Sequence, residues 1–371
     1  MKDWMSQREP LMGSTLTILW KLTFQNKLRI APKYWYRFGM TNLITSLYAP
    51  LRIAERIRFG RKIKKVKITA APVFIIGHWR TGTTLLHYLL SLDDGWAFAI
   101  NKEVYLPFLM FTAQKLVDKM LDFALPERRP MDDVKLGKDL PGEEEFALAI
   151  RGVKSFYYSF MFPRNIHHYS KYLTMKTCSK KEREKWKRRY YNFLQKLTLK
   201  KNGKRLLLKS PTNTGRIDLL QELFPKAKFI FLKRNPYETY VSTKHLFQKL
   251  LPYFSFQKWQ EEKVNDQLLS NLKELWQSYQ KAKIGMAENA LVEVPYEQLI
   301  QKPLEEVKRI YKQLQLRLWG RNTGEKIDLF LREQATFKPN KHFIDQKLIE
   351  KVNSVLGKEL IEQMGYVVRS T

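Results

Sequence analysis

Gly77, Arg80, Thr81, Gly82, Thr83 and Thr84 fall within one stretch of eight positions, between the apolar run 73–76 and a helical stripe of Leu85, Leu86, Leu89 and Leu90. A buried strand, a glycine-bounded loop and a helix start aim several backbone N–H groups and the positive end of a helix dipole at one point, which suits a phosphate or another anion. The spacing Gly-x-x-x-x-Gly-Thr-Thr reproduces the nucleoside-triphosphatase P-loop, except that Thr83 stands where the phosphate-binding lysine belongs. Without that lysine the loop lacks the charge that reaches the outer phosphates of ATP. Arg80 supplies a cation from inside the loop instead. A small-molecule kinase using ATP and magnesium is the nearest enzymatic alternative, disfavoured by Thr83 and by the lack of an aspartate after a strand to organise the metal.

Other strand ends carry chemistry as well. The run 206–208 ends in Lys209, followed by a proline-containing loop, and the run 229–232 leads into Lys233, Arg234, Asn235 and Pro236, with Ser242 in the helix behind. Asn235 suits a helix cap and Pro236 a first helical turn. A guanidinium fork matches phosphate bidentately and a hydroxyl adds a neutral donor, so Arg234 and Ser242 make a second candidate anion site. The elements that position these groups read as buried strands at 73–76, 206–208, 229–232 and 290–299, alternating with amphipathic helices, which predicts a parallel sheet. Ligands of such sheets sit beyond the carboxyl ends of the strands. Residues 96–100 read as the next strand, with Glu103 at its mouth facing the same crevice. Glu143, Glu144 and Glu145 follow Pro141 and Gly142 and read first as a helix start, where carboxylates favour the dipole.

These segments together resemble the sulfotransferase family over roughly residues 70–365. The loop resembles its 5′-phosphosulfate loop, a basic residue, then Ser or Thr, then Gly-Thr-Thr, and Arg234 with Ser242 resembles its 3′-phosphate clamp. Two such motifs in order describe a nucleotide anionic at both 5′ and 3′, 3′-phosphoadenosine 5′-phosphosulfate. The resemblance implies a three-layer, P-loop-type α/β fold with a central parallel sheet flanked by helices. It also implies in-line transfer of a sulfuryl group to an acceptor hydroxyl or amine, with no metal. By the same resemblance, Arg80, Thr81, Gly82, Thr83 and Thr84 hold the 5′ end of the donor. Arg234, Ser242 and, from the basic loop 337–343, Lys341 hold its 3′-phosphate. Arg80 and Lys209 neutralise the leaving group. Glu103, in a setting that resembles the family's catalytic glutamate segment, is the first candidate for the base. Glu144 and Glu145 are the second, since related bacterial proteins carry an acidic segment there. The histidine that accompanies the family's strand-end lysine is replaced here by Ser210 or Asn213.

Residues 1–70 read as a basic, helical N-terminal extension, and 71–371 as the sulfotransferase-like domain. The 371 residues carry 67 Lys+Arg against 36 Asp+Glu, a net charge of +31, which points to anionic partners. A nucleic-acid-binding protein is the alternative from another class; the aromatic residues fall on helix stripes and no recognition motif appears, so no specific nucleic acid is expected. The acceptor stays open, with the charge favouring an anionic glycan or a lipid. Cys178 is the sole cysteine, excluding an internal disulfide and favouring a reducing, cytoplasmic setting. No run approaches the roughly 18 apolar residues of a membrane span. The charged residues ahead of the run 11–20 disfavour a signal peptide. The segment 52–67, eight cations against Glu55, with aromatic residues upstream, makes peripheral contact with an anionic membrane a candidate role of this region.

Overall fold

Four apolar runs, β1 (Val73–Gly77), β2 (Leu207–Lys209), β3 (Lys228–Lys233) and β4 (Leu291–Pro295), pair in parallel in the order β2-β1-β3-β4. The computed structural model describes residues 9–132, 134–317, 319–333 and 342–370. Every residue of β1 is buried, which is why the run lacks the alternation of a half-exposed strand. The register sets Ile75 opposite both Lys209 and Ile230, and Gly77 opposite Leu232, so three strand ends finish side by side. Phe74 stacks on Phe229 with ring centroids 5.5 Å apart, tying β1 to β3 through side chains as well as backbone.

Two expectations from the sequence need correction. The fourth strand does not run to residue 299: the chain leaves the sheet at Pro295, and Tyr296–Gln301 is a helix. Pro295 has no N–H for a ladder, and Glu297 falls in the first helical turn, where the dipole favours it. Nor do residues 96–100 form a strand beside Glu103. One antiparallel bridge joins Ile100 to Pro141, and Asn101–Tyr105 is a short helix. Glu103 Oε2 accepts the Ile100 N–H at 3.0 Å, which starts the helix where a strand would need that donor.

The chain forms two compact units, Met1–Ala70 with Ala97–Lys204 and Phe247–Val264, and Ala71–Trp96 with Arg205–Leu246 and Asn265–Thr371. The second holds the sheet. The first is helical and begins with α1 (Leu16–Gln25), α2 (Trp35–Leu47) and α3 (Ala49–Lys65). Arg37 of α2 is buried and donates to the Ser255 and Pro252 carbonyls at 2.6 and 2.7 Å. Glu55, the lone acid of the basic run, is buried too. It accepts the N–H groups of Met110, Phe111 and Thr112 at 2.9–3.0 Å and pairs with Lys196 at 2.5 Å. Burial pulls the Lys196 ammonium down to about 8, against the raising effect of Glu55. Helix Lys180–Lys200 starts in the expected capping box, with Glu182 Oε2 accepting the Ser179 N–H at 3.0 Å. Among the described residues no helix is long and apolar enough to cross a membrane.

Candidate active site

In the sheet unit, β1 ends at Gly77, the loop follows, and helix α4 (Thr83–Ser91) begins where the sequence placed it. The N–H groups of its first turn have no acceptor within the helix. The two flanking glycines are required by geometry. Gly77 has φ +144°, and a Cβ there would stand 2.6 Å from the Leu232 carbonyl oxygen; Gly82 has φ +92°, and its Cβ would stand 2.5 Å from the Tyr296 ring. Thr214, in the 3-10 helix Pro211–Arg216 after β2, closes the base of the turn: the Gly77 N–H donates to its hydroxyl at 2.8 Å, and the hydroxyl donates to the Gly77 carbonyl at 2.9 Å. Inside the turn the Thr81 hydroxyl donates to the His78 carbonyl at 2.8 Å.

Arg80 adopts φ +71°, a left-handed conformation that costs a residue with a Cβ about 1–2 kcal/mol. Two contacts hold it there. Its Nε donates to Ser242 Oγ at 3.0 Å, and its carbonyl accepts from Arg234 Nη1 at 3.0 Å. The two motifs separated by more than 150 positions therefore meet as one cluster. Arg234 also donates through Nη2 to Glu238 at 2.9 Å and lies over the Tyr296 ring, 4.5 Å from its centroid. Its Nε is buried and has no hydrogen-bond partner among the described residues. Asn235 Oδ1 accepts the Tyr237 N–H at 3.1 Å, the cap expected ahead of Pro236.

Histidines complete the surroundings, and sequence reasoning missed them. His78 is buried; its Nδ1 lies 3.0 Å from the Trp79 carbonyl, and its Nε2 has no partner among the described residues. Because a carbonyl only accepts, Nδ1 carries the proton and Nε2 a lone pair. Burial pulls this imidazole down to about 4, against the raising effect of the Trp79 carbonyl, so it is neutral near pH 7. His87 on α4 is held well below the ordinary range, first by burial and then by Lys209. An imidazole thus lies within electrostatic reach of Lys209, although neither Ser210 nor Asn213 is one. His342 packs on His245 with ring centroids 5.3 Å apart; burial, His245, Arg80 and Arg234 all lower its pKa. The late basic loop therefore reaches the arginine cluster at His342, while Lys341 lies outside the described residues. Basic character in 337–343 was the available signal; no local pattern marks His78 or His87.

The candidate bases all belong to the helical unit. Glu103 is 1% exposed and pairs with Lys201 at 2.9 Å besides capping Ile100. Tyr190 donates to Glu144 at 3.3 Å and Ser155 to Glu145 at 2.5 Å, and both carboxylates are buried. Each therefore has a local structural partner. Arg80, Thr81, Gly82, Thr83, Thr84, Lys209, Arg234 and Ser242 all belong to the sheet unit, at or just beyond the carboxyl ends of its strands.

A model of the sulfotransferase family matches residues 72–320, from the start of β1 to beyond β4. The chain belongs to the sulfotransferase family. A similar protein is the omega-hydroxy-beta-dihydromenaquinone-9 sulfotransferase Stf3 of Mycobacterium bovis, 29% identical over 368 residues that cover 98% of this chain and 93% of that one. The Stf3 of Mycobacterium tuberculosis matches to the same extent. Among solved structures, sulfotransferase STF1 from Mycobacterium tuberculosis H37Rv has a TM-score of 0.67 at 17% identity, covering 91% of this chain and 90% of its own. Sulfotransferase STF9 from Mycobacterium avium also scores 0.67, at 15% identity and with 94% and 96% covered. The parallel sheet flanked by helices is thus the fold of sulfotransferases, and the chain is a sulfotransferase.

Proposed function

We propose that this sulfotransferase moves a sulfuryl group from 3′-phosphoadenosine 5′-phosphosulfate to a hydroxyl carried on a lipid. The observation that carries the donor is the junction of the two motifs, with Arg80 Nε 3.0 Å from Ser242 and Arg234 on the Arg80 carbonyl. One cluster then faces a nucleotide with an anion at each end. The first-turn amides and hydroxyls of Thr83 and Thr84, with Thr81 and Gly82, hold the 5′-phosphosulfate; Arg234 and Ser242 hold the 3′-phosphate, with Lys341 as a further candidate contact. The glycine cradle fits a group that approaches the backbone closely, and Arg234 Nε, which has no partner among the described residues, fits a phosphate oxygen.

The acceptor oxygen forms its bond to sulfur as the bond from sulfur to the 5′-phosphate oxygen breaks, and the acceptor proton passes to a base. Arg80 and Lys209 neutralise the charge left on the departing 3′-phosphoadenosine 5′-phosphate. Positioning and charge stabilisation supply most of the rate, as in phosphoryl transfer. Glu103, Glu144 and Glu145 remain the candidates for the base. The lipid acceptor is supported by Stf3, whose name specifies an omega-hydroxylated dihydromenaquinone and which aligns along nearly the whole chain. Such an acceptor calls for a cytoplasmic enzyme peripheral to a membrane.

The test is calorimetric binding of 3′-phosphoadenosine 5′-phosphate beside ATP with magnesium. Preference for the 3′-phosphorylated ligand is expected; preference for ATP, or no binding, refutes the donor. Transfer of labelled sulfate to a hydroxylated quinone, with glycans in parallel, decides the acceptor class.

A further inference from the structure

Three consecutive helices of the helical unit carry a second apolar stripe that the fold leaves in solvent. On α1, Leu16, Trp20 and Phe24 recur at every fourth position and are exposed, while Leu19 and Leu22 fill the buried side. On α2 the outward set is Tyr36, Leu43 and Leu47, and on α3 it is Ile53 and Ile57, the latter 76% exposed. With Leu28 and Trp35 this makes ten of the eighteen large apolar side chains exposed among the described residues, all within positions 16–57. The stripe of α1 packs beside α2: the Trp20 ring lies 5.5 Å from Phe38, and its indole N–H donates to Asn42 at 2.9 Å. Folded chains rarely expose so concentrated a set of large apolar groups unless something covers them.

Charge identifies the cover. Between residues 9 and 67 the only acids are Glu9 and Glu55, both buried. Lys21, Lys27, Arg29, Lys33, Arg56 and Arg58 are exposed. Aromatic and aliphatic side chains interspersed with cations, on three helices that themselves carry no exposed carboxylate, match the boundary of an anionic bilayer, where rings sit at headgroup depth and long basic side chains reach lipid phosphates. A second copy of the chain fits poorly, because a symmetric contact would bring these cations against one another. We propose that the outer face of α1, α2 and α3 docks in the plane of an anionic lipid surface. This moves the membrane contact from the basic run 52–67 alone to a three-helix face in which that run is the charged margin. It deepens the peripheral placement proposed above.

The experiment is flotation of the full chain with phosphatidylcholine vesicles, with and without phosphatidylglycerol, in the absence of donor and acceptor. Failure here leaves the transfer reaction untouched, since that is measured on a detergent-solubilised acceptor. Wild type is expected to float with both, more strongly with phosphatidylglycerol. The variant Phe24→Ser/Leu47→Ser/Ile57→Ser changes only exposed side chains and is expected to lose at least about tenfold in partitioning at an unchanged melting temperature. The variant Arg56→Gln/Arg58→Gln is expected to lose part of the gain due to phosphatidylglycerol and to keep its binding to phosphatidylcholine; an undiminished gain would overturn the role of these cations. The proposal is overturned if wild type floats with neither vesicle or if the triple variant floats as well as wild type. A wild-type dimer that the triple variant converts to monomer, without vesicle binding by either, overturns it in favour of self-association.

Discussion

Replacing Arg234 with alanine separates reading of the 3′-phosphate from bracing of the loop. The side chain holds the Arg80 carbonyl at 3.0 Å, pairs with Glu238 at 2.9 Å, stacks over Tyr296 and keeps a buried Nε with no partner among the described residues. If Nε and the guanidinium charge serve a 3′-phosphate, the variant loses at least one charge-assisted hydrogen bond, worth about 1.5–3 kcal/mol, or roughly 10- to 150-fold in Kd. AMP has the 5′-phosphate and no 3′-phosphate, so its affinity should change by less than about threefold. Arg234→Lys keeps the charge and loses the fork, and it should fall between wild type and alanine. Calorimetry with 3′-phosphoadenosine 5′-phosphate and AMP on the three proteins gives the answer directly. Equal losses for both ligands would mean that Arg234 acts only by holding Arg80 in its left-handed conformation, and the 3′-phosphate assignment would fail. No loss for either ligand would remove the residue from the site.

Four further outcomes are expected. Gly82→Ala places a Cβ 2.5 Å from the Tyr296 ring at φ +92° and should weaken donor binding about tenfold or more, read by the same calorimetry. His78 has a folded-state pKa of about 4, below its ordinary 6.5, so its contribution to stability is complete above pH 6.5 and lost as the pH falls toward 4; between pH 7 and 5 the loss is about 2 kcal/mol, and urea melts of His78→Gln should show a correspondingly smaller loss over that interval. Glu55→Ala leaves the Lys196 ammonium buried without its carboxylate and should cost about 3–5 kcal/mol by denaturant melts; a change below about 1 kcal/mol would contradict the pairing. Among Glu103→Gln, Glu144→Gln and Glu145→Gln, the variant that removes the general base should lower kcat by about 100-fold or more and abolish the acidic limb of the pH–rate profile, whereas one that only loosens packing should lower the melting temperature and keep that limb.

What the sequence determined by itself is whatever depends on a few neighbouring residues. The runs 73–76, 206–208 and 229–232, short, apolar and each ending in a loop or a cation, read as buried strands, and Gly77 and Gly82 bound a loop whose positive φ angles other residues resist. The Ser179 capping box and the Asn235 cap were legible for the same reason, since each is a side chain bonding to its own helix start. Boundaries were less legible: Pro295 and the Glu103 side chain each redirect the backbone by a single hydrogen-bonding fact that an apolar pattern does not register.

Tertiary structure decided everything that depends on which strand ends lie together. Parallel pairing of β1 with β3 places Gly77 opposite Leu232, and this brings Arg80 to Ser242, lays Tyr296 beneath Arg234 and against Gly82, and sets His342 near both arginines. Sequence distance carries no information about such meetings, because the sheet alone fixes the separation of strand ends. The outer stripes of α1, α2 and α3 show the same limit from the other side. Helical periodicity reveals that a helix has two apolar faces, but only packing chooses which one is buried.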